Sequence, residues 1–323
     1  MKIKNEVFPM KKTYFQYLLS MILYGSNGVI IHYILLSSHE IVFFRTLIGG
    51  LFLIAISLFQ RKRLPSQKAG ILNIQKKQAL CLLISGASIG ASWIFLYEAY
   101  NYIGVGVATL VYYCGPIFVM LLSPLLFQEK ITGKKAFGFG LVLVGMIFLN
   151  GDSLLQGGLS KGLLLSLVAA LLFAGMVIFS KKASDVSGLE SSMYQLIVSF
   201  LTVTVYSFFR EPSFSFFNGM WTDLSANLIP LLILGIINTG VANYLYFCAI
   251  PKLPVQTVSA CSYLEPFSAL IFSVLLLQEQ LSPVQAVGAA CILGGSMLEE
   301  CLNALKQRHL FPHRAALRHR VSP

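Results

Sequence analysis

Glu265 stands halfway along an apolar stretch, 254–277, in Ser262-Tyr263-Leu264-Glu265, and Pro266 follows it directly. A carboxylate left ionised and unpaired at the centre of a bilayer costs roughly 3 kcal/mol on insertion scales. The group is therefore expected to face a wet cavity, to pair with a cation, or to carry a proton. Pro266 has no backbone donor, so the carbonyl four residues earlier loses its usual partner. An acid beside a broken helix is how carriers build ion and substrate sites. The alternative is a packing element: a protonated Glu265 hydrogen-bonded to the loosened backbone.

Other polar residues in apolar surroundings extend the candidate site. Arg45 and Glu98 lie at similar depth near the same face of the membrane. Two readings stand for them: an ion pair with each other, or Arg45 turned inward to hold a substrate carboxylate or close a gate. His32, His39 and Glu40 sit at the same level, where interfacial polar residues are common. Tyr24, Asn27, Trp93, Tyr97, Tyr112, Tyr113, Asn238, Asn243, Tyr244 and Tyr263 complete an amphipathic lining. A buried Asn in lipid needs a partner, which a solute or a neighbouring helix can supply.

Several chemistries lack their signatures. No Gly-rich phosphate loop with Lys, no HExxH, no intramembrane aspartate pair and no nucleophile elbow occurs. A membrane enzyme or an ATP-driven pump is therefore not expected. The six cysteines form no CxxC and read as small core hydrophobes, so neither a metal site nor a cofactor is anticipated.

The elements that must carry these residues are membrane helices. The chain has 323 residues, 56% hydrophobic and only 11% charged, less than half the charge of an ordinary soluble protein. Apolar stretches long enough to cross the hydrocarbon core recur at about 14–36, 40–59, 79–100, 104–127, 133–150, 160–180, 190–209, 226–250, 254–277 and 282–303. No cleavable signal is expected, because the first stretch after Lys11 and Lys12 is too long and lacks a small-residue cleavage site.

These ten stretches divide into two copies at an offset of 150 residues. Ala99 matches Ala249, Tyr113 matches Tyr263, Pro116 matches Pro266, and Gln128-Glu129 matches Gln278-Glu279. Gly25 and Gly175, Gly90 and Gly240, Gly138 and Gly288, and Gly145 and Gly295 pair likewise. Gly115 stands where the second copy has Glu265, so the copies share the proline but not the charge. Five spans per copy is an odd number, so the second copy must cross the membrane in the opposite sense. An all-α membrane protein of ten helices in two inverted five-helix repeats is predicted. The divisions are an N-terminal segment 1–13, repeats 14–150 and 151–303, and a basic tail 304–323.

Charge placement gives an independent reading. With both termini inside, only Lys161 and Arg210 of the 24 Lys and Arg fall outside, and Arg45 lies within a span. The positive-inside rule predicts this for a multi-pass protein of the cytoplasmic membrane. The net charge of +11 thus reflects topology, and a lipid-facing tail is expected rather than nucleic-acid binding.

Tyr24-Gly25-Ser26-Asn27, Phe43-Phe44-Arg45, Pro116 with its apolar run to Gln128-Glu129-Lys130, and Glu265-Pro266 with its run to Glu279 resemble the EamA-type drug/metabolite transporter superfamily. The resemblance spans about 14–303; Tyr24 departs from a Trp common there. It implies a ten-span inverted-repeat carrier of small organic solutes, often an exporter, and marks Arg45, Pro116, Glu129, Glu265, Pro266 and Glu279 as motif positions. Glu129 and Glu279 read as helix-end structure. The expectation is a secondary transporter exporting an amino-acid-like or amphipathic metabolite by alternating access. A passive channel or uniporter is the alternative. Proton coupling and a homodimer are left open.

Overall fold

The structure is a computed structural model that describes residues 3–63, 74–154, 161–210, 224–278 and part of 282–295. Every regular element among them is helical. They are α1 (Ile3–Gly25), α2 (Asn27–His32), α3 (Ser38–Arg63), α4 (Lys76–Tyr112), α5 (Gly115–Phe127) and α6 (Gly133–Leu154). After these come α7 (Lys161–Lys182), α8 (Gly188–Arg210), α9 (Leu224–Leu232), a π-helical stretch Ile233–Val241 and α10 (Ala242–Ala249). A 3₁₀ turn, Ile250–Lys252, leads to α11 (Val255–Cys261) and α12 (Leu264–Leu276), and helical residues recur between 283 and 295.

Among the described residues, six helical runs are long and apolar enough to cross a membrane: His39–Gln60, Lys76–Ile103, Lys161–Lys182, Gly188–Arg210, Asn227–Lys252 and Val255–Leu276. Their outward faces, with that of α5, carry Leu51, Leu58, Leu121, Leu125, Leu171, Leu201, Val205 and Phe209, all exposed. So much contiguous apolar surface would be untenable in water and is ordinary against lipid. Buried polar groups face inward instead, and short serine bonds join the helices. Ser85 Oγ donates to the Met176 carbonyl at 2.8 Å, and Ser92 Oγ donates to the Ala169 carbonyl at 2.9 Å. Those bonds, with Gly162 packed on Tyr102, run α4 antiparallel to α7.

Two expectations need amending. The stretches 79–100 and 104–127 imply a turn between them, but helical winding continues to Tyr112. Gly115 packs on Ala170 and Phe173, and Phe127 lies by Lys181, so α5 runs parallel to α7. The chain therefore reverses between Tyr102 and Gly115 in wound backbone rather than in a loop. The first apolar stretch, expected as one helix over 14–36, is broken at Ser26 without a proline. There the Asn238 amide donates to the Leu23 carbonyl at 2.6 Å and to Ser26 Oγ at 2.7 Å, holding the loosened turn. The tail 304–323 and Glu279 lie outside the described residues.

Several residues 150 apart share local features. Gln128 and Gln278 share a left-handed backbone, both at φ 57°. The Tyr263 hydroxyl donates to the Tyr113 carbonyl at 2.9 Å. A Cβ on Gly145 would lie 2.6 Å from the Gly288 carbonyl, and one on Gly295 2.4 Å from the Gly138 carbonyl. Only glycine permits two backbones to cross so closely.

Candidate functional site: a central cavity at two helix breaks

The chain is interrupted within one residue of the same register in both copies. α4 gives way to α5 across Tyr113-Cys114, and α11 gives way to α12 across Ser262-Tyr263. Pro116 and Pro266 each lie near the start of the helix that follows. Beside these breaks opens a cleft that encloses about 450 Å³ of space, open solvent included. Its polar wall comes from Tyr24, Asn27, Arg45, Tyr246, Ser262 and Glu265. Met21, Ile89, Trp93, Tyr112, Phe173 and Met176 form the rest.

Arg45 is 2% exposed and is held from three sides. Its Nε donates to Thr239 Oγ1 at 3.0 Å, its guanidinium lies 4.5 Å over the Trp93 ring, and Nη1 approaches the Tyr97 hydroxyl at 3.5 Å. The π-helical stretch Ile233–Val241 presents Thr239 and Asn238 together; such widened turns recur at functional sites. Tyr24 donates to Asn243 Oδ1 at 2.9 Å, and the Asn243 amide donates to the Thr239 carbonyl at 2.6 Å. Asn27 Oδ1 is buried with no hydrogen-bond partner among the described residues. Glu265 shares the cavity with Arg45, and its side chain engages Tyr113.

The residues singled out from the sequence therefore separate into three groups. Glu265, Arg45, Tyr24, Asn27, Trp93 and Tyr112 line the cavity. Tyr113, Asn238, Asn243 and Tyr263 stand behind it. Tyr263 is wholly buried among Tyr113, Phe139 and Ile292, and Asn238 and Asn243 spend their amides on the backbone. Tyr97 and Glu98 line a second opening of about 840 Å³ with Ser37, Tyr206 and Arg210. The ion pair considered for Arg45 and Glu98 is not formed. Glu98 binds Arg210 at 3.2 Å, because that cation sits at the same end of the bundle while Arg45 is drawn inward by Thr239 and Trp93.

The opposite end of the bundle is closed by a different set. Glu129 accepts the Val255 N–H at 2.9 Å and the Gln256 N–H at 3.2 Å, capping α11. Lys181 lies 3.7 Å from Glu129 and also donates to the Leu253 carbonyl. A carboxylate at a helix N-terminus satisfies orphan donors and meets the positive end of the dipole.

Sequence profiles bear on this geometry. The EamA-like transporter family matches residues 11–151 and again 160–298. The chain belongs to the EamA-like transporter family. An uncharacterised transporter of Bacillus subtilis (strain 168), YxxF, is 24% identical over 87% of this chain and 86% of its own. A probable amino-acid metabolite efflux pump of Escherichia coli (strain K12) is 28% identical over 64% of this chain and 71% of its own. One crystal structure of a protein shares the fold at TM-score 0.75, covering 90% of this chain and 97% of its own at 18% identity. EamA-like proteins are transporters, and this one is a multi-pass membrane protein whose solute side is a small molecule.

Sequence reasoning missed Met21, Ile89, Phe173, Met176, Tyr246 and Ser262. Tyr246 had a signal, since it follows Thr239 and Asn243 at helical spacing on one face. The apolar four had none, because a hydrophobic residue in a hydrophobic helix does not announce which way it faces.

Proposed function

We propose that this EamA-like transporter is a secondary carrier that exports an amino-acid-like, amine-bearing amphipathic metabolite across the cytoplasmic membrane by alternating access. The observation that carries this reading is one cavity containing a deep acid, Glu265, and a deep cation, Arg45, at the helix breaks. Opposite charges in one cleft suit a solute that bears both, and Glu265 meets the amine or a coupled proton. The name of the Escherichia coli relative points the same way.

Ten spans in two inverted repeats, with both termini inside, form the frame of this reading. The reciprocal glycine crossing, the Tyr263–Tyr113 bond and the two family matches support it. So does the placement of equivalent corners. Tyr102 lies by Lys161 and Leu253 lies by Lys181, at opposite ends of α7. The excess of Lys and Arg on one side favours the cytoplasmic membrane.

The test is Glu265→Gln in proteoliposomes, with counterflow of radiolabelled amino acids followed at several pH values. Counterflow should fall by about 10- to 100-fold, the order lost when one charged contact in a buried site is removed. Wild-type rates with unchanged pH dependence would take Glu265 out of the mechanism. Saturable counterflow by the wild type also separates a carrier from a passive channel or uniporter.

A further inference from the structure

The geometry points to Phe173 as the residue that sets how large an apolar group the solute can carry. This deepens the reading of the cavity as an amphipathic-solute site and rests on it. The cavity is two-faced, and the repeat explains why. At the offset of 150, Ile89 corresponds to Thr239, Trp93 to Asn243, Tyr112 to Ser262 and Met176 to Ser26. In the other direction Tyr24 corresponds to Ala174 and Asn27 to Val177. Thus α4 and α7 line the cavity with Ile89, Trp93 and Met176, whose counterparts are polar, while α1 and α2 supply Tyr24 and Asn27, whose counterparts on α7 are apolar. A solute entering between them is oriented: charged end to Glu265 and Asn27, apolar body to Ile89, Phe173 and Met176.

Phe173 is placed by a position at which the copies differ in charge. Gly115 stands where the second copy has Glu265. A Cβ there would lie 2.7 Å from Phe173 Cδ1 and 3.0 Å from the Ala170 carbonyl, so the ring fills the place a side chain at 115 would take. The ring also meets Tyr112 edge-on, with centroids 5.6 Å apart. Packed against both Gly115 and Tyr112, the ring has little room to yield to a bulky solute. Its edge is the limit of the apolar end. One repeat position therefore specifies charge in the second copy and space in the first.

The experiment measures counterflow of alanine, leucine, phenylalanine and tryptophan, in proteoliposomes of the full chain, for wild type, Phe173→Ala, Phe173→Leu and Gly115→Ala. Enlarging the pocket should raise the tryptophan-to-leucine rate ratio about tenfold in Phe173→Ala and less in Phe173→Leu, the scale of discrimination for small changes in an apolar pocket. Gly115→Ala forces the ring inward and should lower the same ratio. Size-exclusion chromatography in detergent identifies folded variants, and the Leu substitution keeps the series readable if Ala is too disruptive. An unchanged ratio in folded Phe173 variants, with the wild type active, would overturn this inference alone. A wild type that moves none of the four amino acids would remove the amphipathic-solute reading and this inference with it.

Discussion

Inside an apolar helix a polar side chain has two destinations, and they cannot be told apart by residue type. Glu265, Arg45, Tyr24 and Asn27 face the cavity, whereas Asn238, Asn243 and Tyr263 bond to backbone or to one another's neighbours. All seven stood out in the sequence for the same reason, polarity at depth. The difference lies in local demand: Asn238 is called to the loosened turn at Ser26, a break no proline announces. Asn27 offers the clearest residue-level test, because its buried Oδ1 awaits a donor. Asn27→Ala should leave thermal stability within about 0.5 kcal/mol, as no bond to that oxygen is lost. It should raise the apparent KM for a transported amine about fivefold, the worth of one neutral hydrogen bond. A thermal-shift scan beside the transport assay checks both halves.

At the scale of elements, the proline positions were legible and the shape of the chain around them was not. Pro116 and Pro266 follow turns at Tyr113-Cys114 and Ser262-Tyr263, so the interruption sits a few residues upstream of each ring. The π-helical stretch before α10 had no comparable signal, since it depends on how Thr239 and Asn238 are claimed by Arg45 and α1. The Glu129 cap ties the end of α5 to the start of α11 and, through Lys181, to α7. It is a fastening between elements that alternating access would have to release. Glu129→Gln keeps the shape but loses the charge, weakening the cap by about 1 kcal/mol. A cysteine replacing Gln256, in a cysteine-free background, should then react severalfold faster with a membrane-impermeant thiol reagent applied from that side. Equal rates with and without the Glu129→Gln change would show that the cap does not restrain opening.

For the molecule as a whole, the recurrence at 150 residues was the most readable feature, because it rests on many glycines and prolines rather than on one. What it could not convey is how the copies interpenetrate: α4 packs along α7 and α8, while α1 packs along α10 and α12. The inverted frame makes a sidedness prediction. Cysteines placed singly at Tyr102 and Lys252, in the same cysteine-free background, should be labelled from opposite faces of oriented vesicles. Labelling of both from one face would dismantle that frame.

The bonds of Tyr17 carry a consequence for how the protein is made. Its hydroxyl donates to the Val258 carbonyl at 2.8 Å and bonds Ser262 Oγ at 2.8 Å, at sequence separations of 241 and 245. The ribosome therefore delivers the first helix long before the groups that satisfy it have been translated. Until then that helix must wait in the insertion machinery or among lipids with a phenol unmatched.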